Sequence, residues 1–349
     1  MRAVFRLTAL LVLLGICGCI STPPEPIRPA VPPLRQATRK GVERRCAQLK
    51  KLLLPLKVRG IGLFHRAFEL GYAPEEVCQF IRAAGFNRIY FHITSETELD
   101  GDLEKFLIAA EKVALPVEIV IRQGNFYPRS RGNYLLQQIR PRYPLLPEAV
   151  EHVVKYNQSL PPEAGKIDGI TIVVEPHKFT AGHGGIGQIF AWDEKAYGPG
   201  RDNDMLVRET FDMLAALRPG DLPLTIAVPD FFQELAAEKK ITKGTVLDFL
   251  SAHPSVSHLM ILSTAHKPSD VVKGTLSELA VTEKNHKVLL GIELSAHASL
   301  TEQKLRRRDW KDLTRILSYV LGEHRKHAEF CGVMITPLAV LEHLILEQE

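Results

Sequence analysis

Short apolar runs alternate with amphipathic stretches along most of the chain, from residue 58 onward. The runs are rich in Val, Ile and Leu and show little polar alternation, which predicts strands that are buried on both faces. Each run is followed by a stretch with helical spacing. We predict eight strands, at 58–66, 87–93, 117–122, 168–175, 223–231, 257–265, 287–294 and 331–338.

A regular alternation of strand and helix predicts a parallel sheet and an α/β fold. Eight βα units in a body of about 290 residues fit a closed (β/α)8 TIM barrel better than an open sheet. The alternative is a doubly wound sheet, which would usually carry a glycine-rich phosphate-binding turn after its first strand. The segment FHRAFELGY, which begins at Phe64, contains no such turn.

Polar side chains collect at the carboxyl ends of the predicted strands, whereas the strand interiors are expected to stay apolar. In a TIM barrel the active site lies at this end, so these positions are candidates for binding a ligand. We expect one further contact from the long loop after the fourth strand, where an indole could stack on a sugar ring. The predicted binding residues are His65, His92, Arg122, Asn125, His177, Trp192, Asp230 and His266.

Two glutamates end apolar strands, Glu175 on the fourth and Glu293 on the seventh. A pair of carboxyl groups across a barrel mouth is what glycosidic cleavage needs, because one protonates the leaving oxygen while the other attacks or stabilises the sugar cation. Desolvation at a strand end can raise a carboxyl pKa, which suits the acid role. In the alternative interpretation each glutamate pairs with a neighbouring cation and closes the rim.

The segment DGITIVVE, from Asp168 to Glu175, resembles the fourth-strand signature of glycoside hydrolase family 18, Asp-Gly-x-Asp-x-Asp-x-Glu. The resemblance implies that Glu175 is the proton donor. Thr171 and Val173 stand where the family has Asp, and Val173 replaces the Asp that assists the substrate's N-acetyl group. The placement of Glu175 and Glu293 also resembles the acid and nucleophile of clan A glycosidases, although Val174 replaces the usual Asn before the acid.

We therefore predict a glycoside hydrolase-like enzyme acting on a glycan or polysaccharide. The competing hypothesis is a catalytically inactive barrel that binds an envelope glycan or a partner protein. His65, His92 and His177 could instead form a metal site, but the usual His-x-His of the first strand is absent. We predict no metal and no cofactor. The pair His324 and His327 is expected at the surface.

The N-terminus is predicted to be a targeting segment rather than part of the barrel. A basic start precedes the apolar stretch 7–16, which is too short to span a bilayer. The following residues resemble a bacterial lipobox, which implies lipidation of Cys19. The alternative is a plain secretory signal, in which Cys17 and Cys19 have no role. The predicted divisions are a signal peptide at 1–18, the lipidated Cys with a Pro-rich tether at 19–40, and the barrel at 41–349.

The composition is that of an ordinary globular protein, 45% hydrophobic and 24% charged. The net charge of +4 is mild, so we expect no nucleic-acid partner. The expected partners are a glycan and, through the anchor at Cys19, a membrane. Because Ile20 rather than Asp follows that Cys, the resemblance to sorted lipoproteins favours the outer membrane of a cell that has two.

Overall fold

The computed structural model describes residues 39–65, 73–123, 146–174, 202–263, 268–281, 287–294, 310–337, 341 and 345. The strands are β1 Val58–Phe64, β2 Arg88–Ile93, β3 Val117–Arg122, β4 Ile167–Val173, β5 Leu224–Pro229, β6 Val256–Ser263, β7 Lys287–Glu293 and β8 Phe330–Thr336. The described helices are α1 Arg39–Leu53, α2 Pro74–Ala83, α3 Gly101–Lys112, α4 Leu146–Ser159, α5 Asp202–Ala215, α6 Phe232–Ala237, α7 Val246–Leu250, α8 Pro268–Val281 and α9 Trp310–Glu323.

The eight strands form one closed barrel in chain order, and every neighbouring pair is parallel. The pairing of β1 with β8 closes the ring, with Ile61 opposite Ile335. The predicted (β/α)8 fold is therefore confirmed. All eight strands lie where the apolar runs placed them, because runs buried on both faces carry a strong hydrophobic signal.

Side chains alternate between two hydrophobic cores. The larger core lies between the strands and the helices, and the smaller one fills the interior of the barrel. The interior core is made by Tyr90, Val120, Val173, Ala227, Met260, Leu289, Cys331 and Met334. Because successive strand residues point to opposite faces, these residues fix which other positions face the barrel axis.

Glycines on β1 make room for large side chains of its neighbours. A Cβ on Gly60 would lie 2.3 Å from the ring of Tyr90, so no other residue fits there. A Cβ on Gly62, two residues further on, would lie 2.3 Å from a side chain of β8 and 3.1 Å from one of β2. The ring of Tyr90 therefore lies directly over the inner face of β1, where a glycine leaves room for it.

Helix α1 precedes β1 in the chain. It packs against α2 and α9, and its own residues Leu49 and Leu53 are fully buried. Gly85, just after α2, allows close packing, since a Cβ there would lie 2.8 Å from the main chain of Lys50. No helix among the described residues is long and apolar enough to cross a membrane.

Two local predictions need correction. After β5, where we predict one stretch with helical spacing, the structure has two short helices, α6 and α7, and α6 buries Phe232 and Leu235. His324, expected at the surface, is fully buried, and its ring is hydrogen-bonded to the hydroxyl of Thr275. Burial lowers the pKa of His324 to about 4, so the ring is neutral near pH 7.

Candidate functional site

The candidate site is the mouth of the barrel at the carboxyl ends of the strands, where five of the inner-facing positions are polar or aromatic. Side chains alternate along each strand, so residues two positions beyond an inner-facing residue also face the axis. Five such side chains lie at this end, one on each of the neighbouring strands β7, β8, β1, β2 and β3. These five, which we call the mouth residues, are Glu293 on β7, Thr336 on β8, Phe64 on β1, His92 on β2 and Arg122 on β3.

His92 is held in place by the aromatic ring beside it. It is only 3% exposed and stacks on Phe64, its register partner on β1, with ring centroids 4.4 Å apart. A Cβ on Gly62 would lie 3.1 Å from Nε2 of His92 and 2.3 Å from the hydroxyl oxygen of Thr336. The imidazole and the hydroxyl therefore converge over Gly62 at the floor of the mouth.

Thr336 and Glu293 lie side by side, because they are register partners on adjacent strands. Glu293 is partly exposed, whereas Thr336 is 8% exposed. The hydroxyl of Thr336 is shielded from solvent and has no hydrogen-bond partner among the described residues. A buried hydroxyl without a partner costs about 1–3 kcal/mol, so this position favours an added hydrogen-bonding group.

Arg122 and Asp230 both lie at the carboxyl end of the barrel. Arg122 ends β3 and follows the inner-facing Val120 by two residues, which turns its guanidinium toward the axis. Asp230 directly follows β5, and its main-chain N–H donates to the carbonyl of Leu262 on β6. This bond fixes Asp230 at the rim.

His65 lies on the other side of the sheet from His92. Its ring packs edge-on against Phe91, a residue of the larger core, with ring centroids 6.1 Å apart. Its Nε2 is 3.5 Å from the carboxylate of Asp100 at the start of α3. The two described histidines of the alternative metal site therefore do not face a common cavity. His92, Arg122 and Glu293 face the axis at the same end of the barrel, whereas His65 lies on the outer face of the sheet.

Several predicted site residues lie outside the described part of the chain. Their roles, including those of the proposed acid and the lipidated cysteine, stay predictions from the sequence. They are Glu175, Asn125, His177, Trp192, His266 and Cys19.

At the opposite end of the barrel, the structure contains a polar network that the sequence analysis missed. Glu118 on β3 faces the axis, is 2% exposed and forms an ion pair with Arg88. Its Oε2 also accepts hydrogen bonds from Thr171 at 2.8 Å and Thr225 at 3.2 Å. Burial raises the pKa of Tyr90 well above its usual value, and the nearby Glu118 carboxylate is the second cause of this increase. The expectation of apolar strand interiors was therefore wrong at this end.

This network explains how β4 departs from the family 18 signature. Thr171 donates to Glu118, whereas an Asp there would place two carboxylates against each other. Asp168 instead accepts the main-chain N–H of Val117 at 2.8 Å and joins the starts of β3 and β4. A Cβ on Gly169 would lie 3.1 Å from the carbonyl of Pro223. The two matching residues at the start of the motif thus have roles in packing.

No protein-family model and no curated protein matches this chain. Among solved structures, a GH18 chitinase from Pseudoalteromonas aurantia is 10% identical, covering 80% of this chain and 94% of its own, with a TM-score of 0.43. Xylanase B from Clostridium stercorarium F9 is 10% identical, covering 82% and 87%, with a TM-score of 0.39. An endo-β1,6-glucanase is 11% identical, covering 80% and 66%, with a TM-score of 0.40.

These structures are similar to this chain in architecture only. Each of the three is a glycoside hydrolase by name. Barrels of this class carry many unrelated reactions, and identities this low say nothing about the residues of the mouth. The function has to be argued from the site itself.

Proposed function

We propose that this protein is a glycosidase-like barrel enzyme that hydrolyses a glycan or polysaccharide of the cell envelope. The observation that supports this most directly is the position of Glu293. Its carboxylate ends β7, faces the axis and has the imidazole of His92 and the guanidinium of Arg122 on staves of the same mouth. A carboxylate among hydrogen-bond donors at the carboxyl end of a barrel suits the cleavage of a glycosidic bond.

In this proposal Glu175 is the general acid and base. It follows the inner-facing Val173 by two residues in the sequence. The carboxyl group protonates the leaving glycosidic oxygen, while the Glu293 carboxylate attacks or stabilises the anomeric carbon. A water then completes hydrolysis. A separation of about 5 Å between the carboxyl groups implies retention at that carbon, and a larger one implies inversion.

The cellular placement belongs to the same proposal. Lipidation of Cys19 would anchor the protein to the envelope, most simply at an outer membrane, with the Pro-rich segment up to residue 40 as a tether. This part is supported by the lipobox-like sequence. Labelling cells with a radioactive fatty acid tests it: the wild-type chain takes up label and Cys19→Ser does not.

The enzymatic proposal is tested with the full chain in detergent, on a panel of envelope and plant-type glycans. Glu175→Gln and Glu293→Gln are compared with Glu163→Gln, which alters an exposed glutamate in a turn far from the mouth. Losing an acid or nucleophile should lower kcat at least a hundredfold, about the smallest contribution of a general acid. Glu163→Gln should leave turnover unchanged.

The competing binding function gives a different result in the same assay. If no glycan is cleaved, yet one binds with an affinity that Glu175→Gln leaves unchanged, the barrel is a binding protein. Turnover that survives both Glu175→Gln and Glu293→Gln would contradict the assigned roles.

A further inference from the structure

The positive charge of this chain is concentrated in its first described helix. The α1 sequence RKGVERRCAQLKKLL contains six Lys or Arg and one Glu. That surplus exceeds the net charge of +4 for the entire chain, so the remainder carries no net positive charge. Such asymmetry is typical of a surface that meets an anionic partner.

Three of the exposed cations on this side line one groove between α1 and α9. The groove encloses about 630 Å³. Lys51, Lys311 and Arg315 line it together with neutral residues, and no carboxylate does. Within the described residues, none of these three cations is ion-paired. All three side chains are exposed. The neutral lining residues are Gln48, Leu52, Thr314, Ser318, Tyr319 and Leu321.

Apolar groups are exposed beside these cations. Tyr319 lines the groove and is 52% exposed, and Leu54, just beyond the end of α1, is 63% exposed. They are two of the three large hydrophobic residues that are exposed in the described part of the chain, the third being Leu247. Exposed cations with an exposed tyrosine and leucine match the interface of an anionic bilayer, where headgroups bind cations and aromatic rings sit at headgroup depth.

We propose that this face, formed by α1, α9 and Leu54, docks on a membrane surface that contains anionic phospholipids. Helix α1 begins at residue 39, at the end of the proposed tether, so along the chain the charged face is the part of the barrel nearest to an anchor at Cys19. The inference uses the anchor from the proposed function only to bring the face close to the membrane. It does not depend on glycosidase activity.

Docking in this way would set the orientation of the barrel. Helices α1 and α9 pack against each other on the outside of the barrel. In a barrel of this class such helices run roughly alongside the strands. The barrel axis would then lie along the membrane, and the mouth would open sideways rather than against the lipid.

The test uses the full chain with Cys19→Ser, so that no lipid can be attached. Binding to phosphatidylcholine vesicles is measured by sedimentation, with and without phosphatidylglycerol. The groove variant adds Lys51→Gln, Lys311→Gln and Arg315→Gln. At about 1 kcal/mol for each basic residue near an anionic surface, the three changes should weaken partitioning onto the phosphatidylglycerol vesicles roughly a hundredfold. Added salt should weaken wild-type binding in the same direction.

A matched variant separates this face from net charge. Lys105→Gln, Lys112→Gln and Lys155→Gln remove the same charge from lysines on α3 and α4 that are 70%, 62% and 71% exposed. This variant should bind as the parent does, and the apolar segment near the N-terminus is common to all three chains. Equal loss in both variants, or binding that does not depend on phosphatidylglycerol, would overturn the proposal. Neither result bears on glycan hydrolysis, which is assayed separately.

Discussion

The two ends of the barrel interior both contain buried polar side chains, but Glu118 at one end and Thr336 at the other differ in how they are satisfied. At the amino end, Glu118 is matched by the guanidinium of Arg88 and by two threonine hydroxyls. At the carboxyl end, the hydroxyl of Thr336 is buried without a partner among the described residues, close to the imidazole of His92.

This difference separates a structural network from a site that favours a ligand. Buried polar groups are nearly always hydrogen-bonded, so an unmatched one calls for an explanation. In barrels of this class the amino end serves stability and the carboxyl end serves function. The comparison predicts opposite effects when equivalent side chains are altered at the two ends.

The largest effect is expected for Glu118→Ala. The change leaves Arg88 without its carboxylate and removes the acceptor of the Thr171 and Thr225 hydroxyls. Breaking a buried ion pair from one side typically costs 3–5 kcal/mol, and we expect about that loss in the free energy of unfolding. Urea denaturation followed by circular dichroism measures it.

Glu118→Gln is the control for that experiment, because it keeps a side-chain oxygen for the two threonine hydroxyls and removes only the charge. It should be less destabilising than Glu118→Ala. A loss below about 1 kcal/mol for Glu118→Ala would mean that the network is not what stabilises the amino end.

A smaller loss is expected for Thr171→Val. The substitution keeps the shape of the side chain and deletes a hydroxyl that donates to the Glu118 carboxylate at 2.8 Å. Hydrogen bonds to charged groups contribute about 1.5–3 kcal/mol, so the free energy of unfolding should fall by about 2 kcal/mol. The same denaturation experiment measures this, and unchanged stability would contradict the bond.

The pH dependence of stability gives a third test of the amino end. His258 on β6 faces the axis there, and burial, followed by the charges of Arg88 and Lys287, lowers the pKa of its imidazole from 6.5 to about 4. The unfolded chain therefore binds a proton below pH 6.5 that the folded protein does not bind until near pH 4. Stability is fully present above pH 6.5 and is lost as the pH falls between these values.

Because His258 is partly exposed, solvent screening reduces the contribution of its pKa shift to the free energy of unfolding to about 1–2 kcal/mol. Urea denaturation at pH 7 and pH 4.5 should show that wild type loses about this much more stability than His258→Asn. The comparison with the variant cancels all other titrating groups. Equal losses in the two proteins would show that His258 is not responsible.

Features that depend on residues close together in the sequence could be predicted, whereas contacts between residues far apart in the sequence could not. The strands were predictable because each carries its own apolar run, and the facing of Glu293 follows from its alternation with Leu289 and Gly291. The polar network at the amino end could not be predicted, because the side chains that bind Glu118 lie 30, 53 and 107 residues away in the sequence. The one local signal was that Glu118, Val120 and Arg122 share a face of β3.

The smallest effect, and the one of opposite sign, is expected for Thr336→Val. Since the hydroxyl of Thr336 is buried without a partner in the described part of the chain, its removal relieves a desolvation cost. We expect the ligand-free protein to gain about 0.5–1 kcal/mol in the free energy of unfolding, whereas Thr171→Val loses stability. Both changes replace a hydroxyl by a methyl group on an inner face of the same barrel, so their difference reports only whether the hydroxyl is matched.

If a glycan uses this hydroxyl, Thr336→Val should also weaken its binding, which gives a protein that is more stable but less functional. Destabilisation by Thr336→Val would mean that the hydroxyl is already satisfied and that the two ends of the barrel do not differ in this respect.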